Sequence, residues 1–237
     1  MDVKKLQEKK IFLIDKPKGL TSYKVLEKIK LEVFNTYKRK IKIGHSGTLD
    51  PLATGLLIIG INEGTKSLKF FFDLDKIYIT TFNISGRTAS YDAETPIEEN
   101  FNYNHITLEN IFEAINKFKG YISQVPPLYS AKKIMGVRAY SLARKNIQIN
   151  LKPIQVFIKE IEILNIQLPK ITIKVHCSKG TYIRSLAYDI GKELTGGAFI
   201  EELQRIAIGN YNIIDAYKLD DFLKYLKTSD FYNKIFK

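Results

Sequence analysis

An aspartate in a glycine-rich loop is the residue of this chain best placed to do chemistry. Asp50 lies within Gly44–Gly55, a segment with three glycines, one proline, few charges and no periodicity. Such a segment is typical of a loop that closely approaches a ligand or another stretch of backbone. Its neighbours Leu49, Leu52 and Ala53 are apolar. A carboxylate in this setting either caps a turn or is held in a pocket, and taken alone the capping role is favoured.

A second polar segment, Lys179–Arg184, follows a strand-like run and opens a helix-like one. The guanidinium of Arg184 can pair with a carboxylate in a dry pocket and keep it ionised. The ring of Tyr182 offers a flat face for a nucleobase. A helix cap followed by an exposed arginine explains the same segment, so both interpretations stay open on these residues alone.

Other chemistries have weaker support. The run Gly60–Ser67 looks like a phosphate-binding loop, but Thr65 stands where that motif requires a glycine before its lysine. The histidines His45, His105 and His176 do not stand at metal-ligand spacing, and no serine lies on a nucleophile-elbow pattern. The sequence therefore predicts neither a metal site nor nucleotide hydrolysis.

The net charge of +12 is concentrated at the N-terminus, where residues 1–42 hold 13 Lys and Arg against 5 Asp and Glu. The densest basic run is Lys38–Lys42. Two interpretations are open: a lysine-rich composition without functional meaning, or an electrostatic footprint for a phosphate backbone. The single cysteine, Cys177, excludes an internal disulfide, and no apolar run is long enough to span a membrane. We therefore expect a cytoplasmic protein with no membrane partner.

The elements that must position these side chains follow from the spacing of apolar residues. Helices are predicted after a cap at Thr21 or Ser22, with Val25, Ile29 and Val33 on one face, and over Lys66–Phe72, Leu108–Phe118, Tyr182–Leu194 and Leu219–Leu226. Strands are predicted over Ile11–Ile14, Leu56–Ile61, Ile77–Ser85, Ile154–Gln167, Ile171–His176 and Phe199–Asn212, and a further extended piece begins at Ile41–Ile43. The stretch Gly86–Pro96 is predicted as a loop. Without a regular strand–helix–strand rhythm, this order indicates an α+β protein with a mixed or mainly antiparallel sheet.

Five stretches in order resemble the TruB family of tRNA pseudouridine synthases. They are Ile14–Gly19 (IDKPKG), Gly44–Lys66 (GHSGTLDPLATGLLIIGINEGTK), Lys76–Tyr78 (KIY), Pro126–Lys133 (PPLYSAKK) and Cys177–Arg184 (CSKGTYIR). In addition, Leu203-Gln204-Arg205 stands where the family usually has Leu-Arg-Arg. The resemblance covers roughly residues 11–215.

The resemblance implies a role for each matching residue. Asp50 matches the catalytic aspartate, and Arg184 matches the arginine that pairs with it. Tyr78 matches a tyrosine that stacks on the target base and is a candidate for handling its C5 proton. The other matches are expected to bind the substrate: His45, which enters the RNA loop in place of the extruded bases, Tyr182, Leu203, Lys16 and Asp92.

The same resemblance implies a fold and a reaction. The fold is the pseudouridine synthase fold, a curved mixed or antiparallel sheet flanked by helices. The reaction converts a uridine in the T-loop of tRNA, position 55, to pseudouridine without a cofactor. Asp50 can attack the sugar C1′, add to uracil C6, or remove a sugar proton, and these three routes stay open. The expected partner is the tRNA T-arm, and the expected state is a monomer.

The chain departs from the family pattern at three points. Ala89 stands where a second aspartate is common, and Gln204 stands where an arginine is common. Too few residues follow Arg205 for the C-terminal RNA-binding PUA domain that many members carry, so a single catalytic domain, residues 1–237, is expected. Two alternatives remain: a non-catalytic RNA-binding or tRNA-folding protein on the same scaffold, and a guide-dependent relative that acts on ribosomal RNA.

Overall fold

The apolar runs of the sequence become strands joined by amphipathic helices in the computed structural model of the chain. The structure describes residues 3–130 and 151–237, together with the backbone of residues 133–134 and 137–138. The chain divides into a terminal unit, Met1–Lys76 with Gln204–Lys237, and a central unit, Ile77–Leu203.

The described elements have the following bounds. The α-helices are α1 (Val3–Glu8), α2 (Ser22–Tyr37), α3 (Leu68–Asp73), α4 (Leu108–Asn116), α5 (Ile183–Leu194), α6 (Leu219–Tyr225) and α7 (Ser229–Phe236). The strands are β1 (Ile11–Lys16), β2 (Ile43–His45), β3 (Thr54–Ile61), β4 (Lys76–Asn83), β5 (Gly86–Thr88), β6 (Ile97–Asn100), β7 (Gly120–Gln124), β8 (Lys133–Ile134), β9 (Val137–Arg138), β10 (Ile154–Gln167), β11 (Lys170–Cys177), β12 (Phe199–Ile208), β13 (Tyr211–Asn212) and β14 (Tyr217–Lys218). Short 3-10 helices lie at Asn62–Ser67 and Ile213–Asp215.

The sheet of the terminal unit is built around β3. Strand β1 pairs antiparallel with it, from Ile11 opposite Gly60 to Lys16 opposite Gly55. Strand β2 also pairs antiparallel with β3, whereas β3 runs parallel to the second half of β12 at Arg205. Strand β14 extends the sheet in parallel with β1. Parallel and antiparallel ladders therefore coexist within this unit.

Both faces of β3 are buried, because successive side chains of a strand point to opposite faces. Leu57 and Ile59 pack in one apolar cluster with side chains of α2, α6 and α7. Leu56 and Ile58 pack in another cluster with side chains of α1 and α3. Burial on two faces explains why β3 is a nearly continuous apolar run in the sequence rather than an alternating one.

In the central unit the strand order is β12–β4–β11–β10–β7. Strands β10 and β11 form a long antiparallel hairpin, and β7 pairs antiparallel with β10. The short strands β5 and β6 form a separate two-stranded sheet. Helices α4 and α5 pack on each other.

The predicted α+β fold with a mixed sheet flanked by helices is confirmed. In α2, Val25, Ile29 and Val33 are fully buried, as their spacing predicts. Thr107 caps α4 in a reciprocal capping box with Asn110. The predicted strands reappear as β1, β3, β4, β10, β11 and β12, with ends that shift by a few residues.

Some boundaries predicted from the sequence are wrong. The predicted loop Gly86–Pro96 begins with the strand β5, and the last predicted helix is followed by a further helix, α7, that was not predicted. Helix α4 ends at Asn116, before the predicted end at Phe118, and Gly120, at φ +89°, begins β7. Helix α1 was also not predicted. The single catalytic domain over residues 1–237 stays a prediction. Within the described residues, no helix combines the length and apolarity needed to cross a bilayer.

Candidate functional site

The Asp50 loop, residues 44–55, leaves the sheet at β2 and returns to it at β3. The return requires glycine at position 55, where φ is +104°. A Cβ on Gly55 would lie 2.3 Å from the carbonyl oxygen of Arg205 on the neighbouring parallel strand. Any residue other than glycine at position 55 would be strained by the positive φ and would collide with the backbone of Arg205.

The middle of the Asp50 loop is held by the segment that precedes and opens α2. The Ser22 hydroxyl accepts a 2.8 Å hydrogen bond from the Leu49 N–H and donates one of 3.1 Å to the Leu49 carbonyl. The Gly19 N–H donates to the Pro51 carbonyl at 2.8 Å. The Asp50 carbonyl accepts from the Ala53 N–H at 3.1 Å. These bonds fix the backbone on both sides of Asp50, which is half-buried.

Lys16 is fully buried at the end of β1. Its ammonium donates to the carbonyls of Leu20 at 2.6 Å, Pro17 at 2.9 Å and Pro51 at 3.5 Å. A buried ammonium must be compensated by such acceptors, because removing the charge from water is costly. The structure thus places Lys16 as a brace between the turn after β1 and the Asp50 loop. Its predicted contact with substrate stays a prediction.

Arg205 fixes the first half of the Asp50 loop, a role that no sequence motif indicated. This side chain is 1% exposed, and it donates to the Leu56 carbonyl at 2.8 Å and to the Gly47 carbonyl at 3.1 Å. It also acts on His45, whose pKa is lowered first by burial and second by the positive charge of Arg205. The imidazole of His45 is therefore neutral at neutral pH.

In the central unit, Arg184 in the first turn of α5 binds the loop that carries Asp92. Its Nη1 donates to the Ser90 carbonyl at 2.8 Å and lies 3.4 Å from Oδ2 of Asp92. Its Nη2 donates to the Tyr129 carbonyl at 2.8 Å. Arg184 is 5% exposed and Asp92 is 1% exposed, so the interpretation of an exposed arginine after a helix cap is wrong. The pairing of Arg184 with Asp50 stays a prediction.

The Asp92 carboxylate is held from several directions. Its Oδ1 accepts from the Ser90 hydroxyl at 2.5 Å and from the Glu94 N–H at 3.0 Å. The neighbouring Tyr91, at φ +61°, stacks its ring on Tyr188 of α5 with centroids 4.0 Å apart. The Asp92 loop is thus attached to α5 by an ion pair and by a ring stack.

A buried glutamine secures the residue that caps α5. Gln124 is fully buried, and its side-chain oxygen accepts from the Tyr182 N–H at 2.8 Å. Its side-chain nitrogen donates to the Tyr182 carbonyl at 3.1 Å. These two bonds fix the backbone of Tyr182, whose ring is half-buried. No local pattern in the sequence marks Gln124, because its partner Tyr182 lies far along the chain.

The remaining predicted site residues lie on strands of the central unit. Tyr78 on β4 is 9% exposed, and Leu203 on β12 is 8% exposed. Asp50, His45 and Lys16 belong to the terminal unit. Among the residues that the structure describes, no group of three or more His, Cys, Asp or Glu side chains could hold a metal ion.

The comparisons with known proteins agree with these motifs. Residues 34–183 match the family model described as "TruB family pseudouridylate synthase (N terminal domain)". A tRNA pseudouridine synthase B from Phocaeicola vulgatus is 42% identical over 221 residues, which span 93% of this chain and 94% of the relative. Proteins of the same name from Flavobacterium johnsoniae and Aquifex aeolicus are 43% and 42% identical and cover 91% and 89% of this chain.

Solved structures support the fold. A chain from "Crystal Structure of a Cbf5-Nop10-Gar1 Complex" superposes with a TM-score of 0.70 at 24% identity. A chain from "Structure of H/ACA RNP bound to a substrate RNA containing 2'-deoxyuridine" gives 0.68 at 23% identity. This chain spans 61% of the length of each of them. From the family model and the extent of identity over nearly the whole sequence, this chain belongs to the TruB family of pseudouridylate synthases.

Proposed function

We propose that this enzyme isomerises a uridine in the T-loop of tRNA to pseudouridine, with Asp50 as the catalytic carboxylate. The observation that carries the proposal is the construction of the Asp50 loop. Five backbone and side-chain hydrogen bonds from Gly19, Ser22, Ala53 and Arg205 hold it, while Asp50 itself stays partly open to solvent. A carboxylate that only capped a turn would have no use for so rigid a support.

The names of the relatives support the substrate class. Proteins that are 42% and 43% identical over most of this chain are tRNA pseudouridine synthases B. The excess of basic residues at the N-terminus suits a phosphate backbone. In this proposal the enzyme works in the cytoplasm, as a monomer, on the T-arm.

The reaction begins with extraction of the target base. A base stacked inside an RNA loop cannot be reached by a side chain, and flipping it out costs a few kcal/mol. A neutral His45 suits the proposed filling of the vacated stack, because an uncharged ring is removed from water at lower cost than an imidazolium. The rings of Tyr78 and Tyr182 supply the flat faces that receive the base.

The chemistry is an isomerisation in which the N-glycosidic bond breaks and a C–C bond forms between the sugar C1′ and uracil C5. The proton of C5 leaves and N1 gains one, so atoms and electrons balance without a redox partner. For this step, Arg184 is the cation that keeps Asp50 anionic. Attack at C1′, addition at C6 and removal of a sugar proton are all compatible with an anionic Asp50.

The test is the variant Asp50→Asn, which keeps the shape of the side chain and removes its charge. We expect no pseudouridine in an unmodified tRNA transcript, as mapped chemically, with tRNA affinity and thermal stability close to those of the wild type. Asp220→Asn, an exposed aspartate in α6, is the matched control and is expected to leave turnover unchanged. Turnover by Asp50→Asn would refute the catalytic role, and an inactive wild type would favour the RNA-binding alternative.

A further inference from the structure

Two aromatic side chains form an exposed pair at the β7–β10 ladder of the central unit. Tyr121 of β7 lies directly opposite Phe157 of β10. Their ring centroids are 4.8 Å apart with an interplanar angle of 51°. Tyr121 is 82% exposed and Phe157 is 37% exposed, whereas Val156 and Ile158 on either side of Phe157 are buried. The pair therefore presents ring surface to solvent on the outer face of the ladder.

The aromatic pair is joined to the segment that leads into α5. The Ser178 N–H donates to the Phe157 carbonyl at 2.8 Å, and the Phe157 N–H donates to the Ser178 hydroxyl at 2.9 Å. Ser178 begins the stretch that continues to Tyr182 and Arg184. The pair is thus attached, through two hydrogen bonds, to the segment that carries predicted substrate contacts.

Exposed lysines lie close in sequence to the aromatic pair, in each of the segments that carry or contact it. Lys119 precedes β7, Lys159 follows Phe157 by two residues, and Lys179 follows Ser178, and all three are exposed. Along these three segments the nearest carboxylate is that of Glu160. Exposed rings and exposed lysines on the same segments match the two features of a single-stranded nucleic acid, a base with a π face and a phosphate backbone. A purely apolar partner would not require the lysines.

We propose that Tyr121 and Phe157 form a stacking platform for one unpaired base of the RNA substrate, a base other than the uridine that is isomerised. This inference rests on the proposed function, because it takes the substrate to be RNA. Stacking on an aromatic side chain tolerates any base, because every base has a π face. The platform adds affinity and position for the RNA, and it takes no part in bond making.

The test compares Tyr121→Leu and Phe157→Leu, which keep an apolar side chain and remove the ring, with Phe112→Leu. Phe112 lies on α4 of the same unit and is 52% exposed, so it is a matched surface control. The probes are an unmodified tRNA transcript and a fully paired RNA duplex. We expect the two platform variants to bind the transcript about 5-fold or more weakly, and all variants to bind the duplex equally. A transcript containing 4-thiouridine should crosslink under ultraviolet light to the peptides that contain Tyr121 or Phe157.

Four outcomes would overturn the platform. They are equal transcript affinity for all variants, an equal loss for the duplex, no crosslink to either peptide, or altered stability or self-association with RNA affinity unchanged. The last would mean that a second copy of the chain covers the rings. Turnover separates this inference from the proposed function. A wild type that makes pseudouridine but shows no platform effect refutes only the platform. A platform effect without any pseudouridine refutes only the proposed function.

Discussion

At the scale of single residues, two buried arginines do different work. Arg184 divides its guanidinium among two carbonyls and the Asp92 carboxylate, whereas Arg205 joins two carbonyls around the Asp50 loop. In both cases the planar fork reaches acceptors that lie in different directions. An ammonium is a point donor and cannot satisfy such a set with the same geometry.

Arg184→Lys is therefore expected to reduce turnover more than RNA affinity. In the proposed pairing with Asp50, loss of one charge-assisted hydrogen bond corresponds to about tenfold in rate or more, because about 1.4 kcal/mol is one factor of ten. The measurement is kcat on the tRNA transcript together with Kd for the same RNA. Arg87→Lys, at a half-buried arginine that is ion-paired with Glu99, is the control. Equal turnover for Arg184→Lys and wild type would mean that the fork has no part in the reaction.

His45 gives a prediction for pH. Burial and Arg205 lower its pKa in the folded state, so on acidification the unfolded chain takes up this proton first. The folded protein therefore keeps its full stability from His45 above the ordinary histidine pKa of about 6.5, and it loses part of that stability as the pH falls below this value. We expect His45→Gln to lose less stability than the wild type between about pH 7 and about pH 5.

Urea unfolding of the two proteins at both pH values measures this difference. His105→Gln, at an exposed histidine, is the control and should follow the wild type. An identical loss in wild type and His45→Gln would show that His45 binds its proton equally in both states.

At the scale of elements, α5 depends on a side chain outside it. Gln124 bonds both backbone groups of Tyr182, and the Ser185 hydroxyl donates to the Val125 carbonyl at 2.7 Å. The end of β7 and the start of α5 are thereby one structural piece. The orientation of Arg184 therefore depends on the contacts with β7 as well as on α5 itself.

Gln124→Ala is expected to lower the free energy of unfolding by about 2 kcal/mol, because it removes two hydrogen bonds and leaves two backbone groups without their partner. Ser123→Ala, at the exposed neighbour, should change stability little. Chemical denaturation measures both values. A Gln124→Ala protein as stable as the control would mean that water replaces the amide at no cost.

Helix α2 and the long-range hydrogen bonds differ in how far the sequence predicts them. The spacing of Val25, Ile29 and Val33 predicts α2, because a helix buries residues of its own sequence at a regular period. The pairing of Gln124 with Tyr182, and of Arg205 with the Asp50 loop, joins residues that are distant in the chain, so no local pattern predicts it. Strand β5 was missed because it is only three residues long and its partner β6 is exposed throughout, so no buried apolar pattern marks the pair. The site residues themselves came from motif resemblance rather than from periodicity.

At the scale of the whole molecule, the basic charge is anchored at the end of α2. The guanidinium of Arg39 lies 5.7 Å and 5.2 Å from the ring centroids of Tyr232 and Phe236 of α7. Lys38 ends α2 in a left-handed conformation, and Lys40 and Lys42 are exposed. The basic run Lys38–Lys42 is therefore attached to α2 and α7 and is not part of a free tail.

If this run binds phosphates, replacing Lys38, Lys40 and Lys42 by Gln should make the slope of log affinity against log salt shallower. The expected change is about 0.7–0.9 for each phosphate that the variant no longer neutralises. The matched control replaces Lys24, Lys28 and Lys30, three exposed lysines of α2, by Gln. Filter binding over a salt series gives the slopes. An equal change of slope in both triple variants would mean that RNA affinity depends on the overall lysine content and not on a defined phosphate-binding site at Lys38–Lys42.

The buried Lys16 has a consequence for chemical footprinting. An acylating reagent modifies the exposed amines of a lysine-rich protein quickly, but it reaches Lys16 only when the carbonyls of Leu20 and Pro51 release its ammonium. The rate at which label appears on Lys16, measured by mass spectrometry, therefore reports how often the Asp50 loop opens. RNA that closes over the Asp50 loop should slow the labelling of Lys16 further.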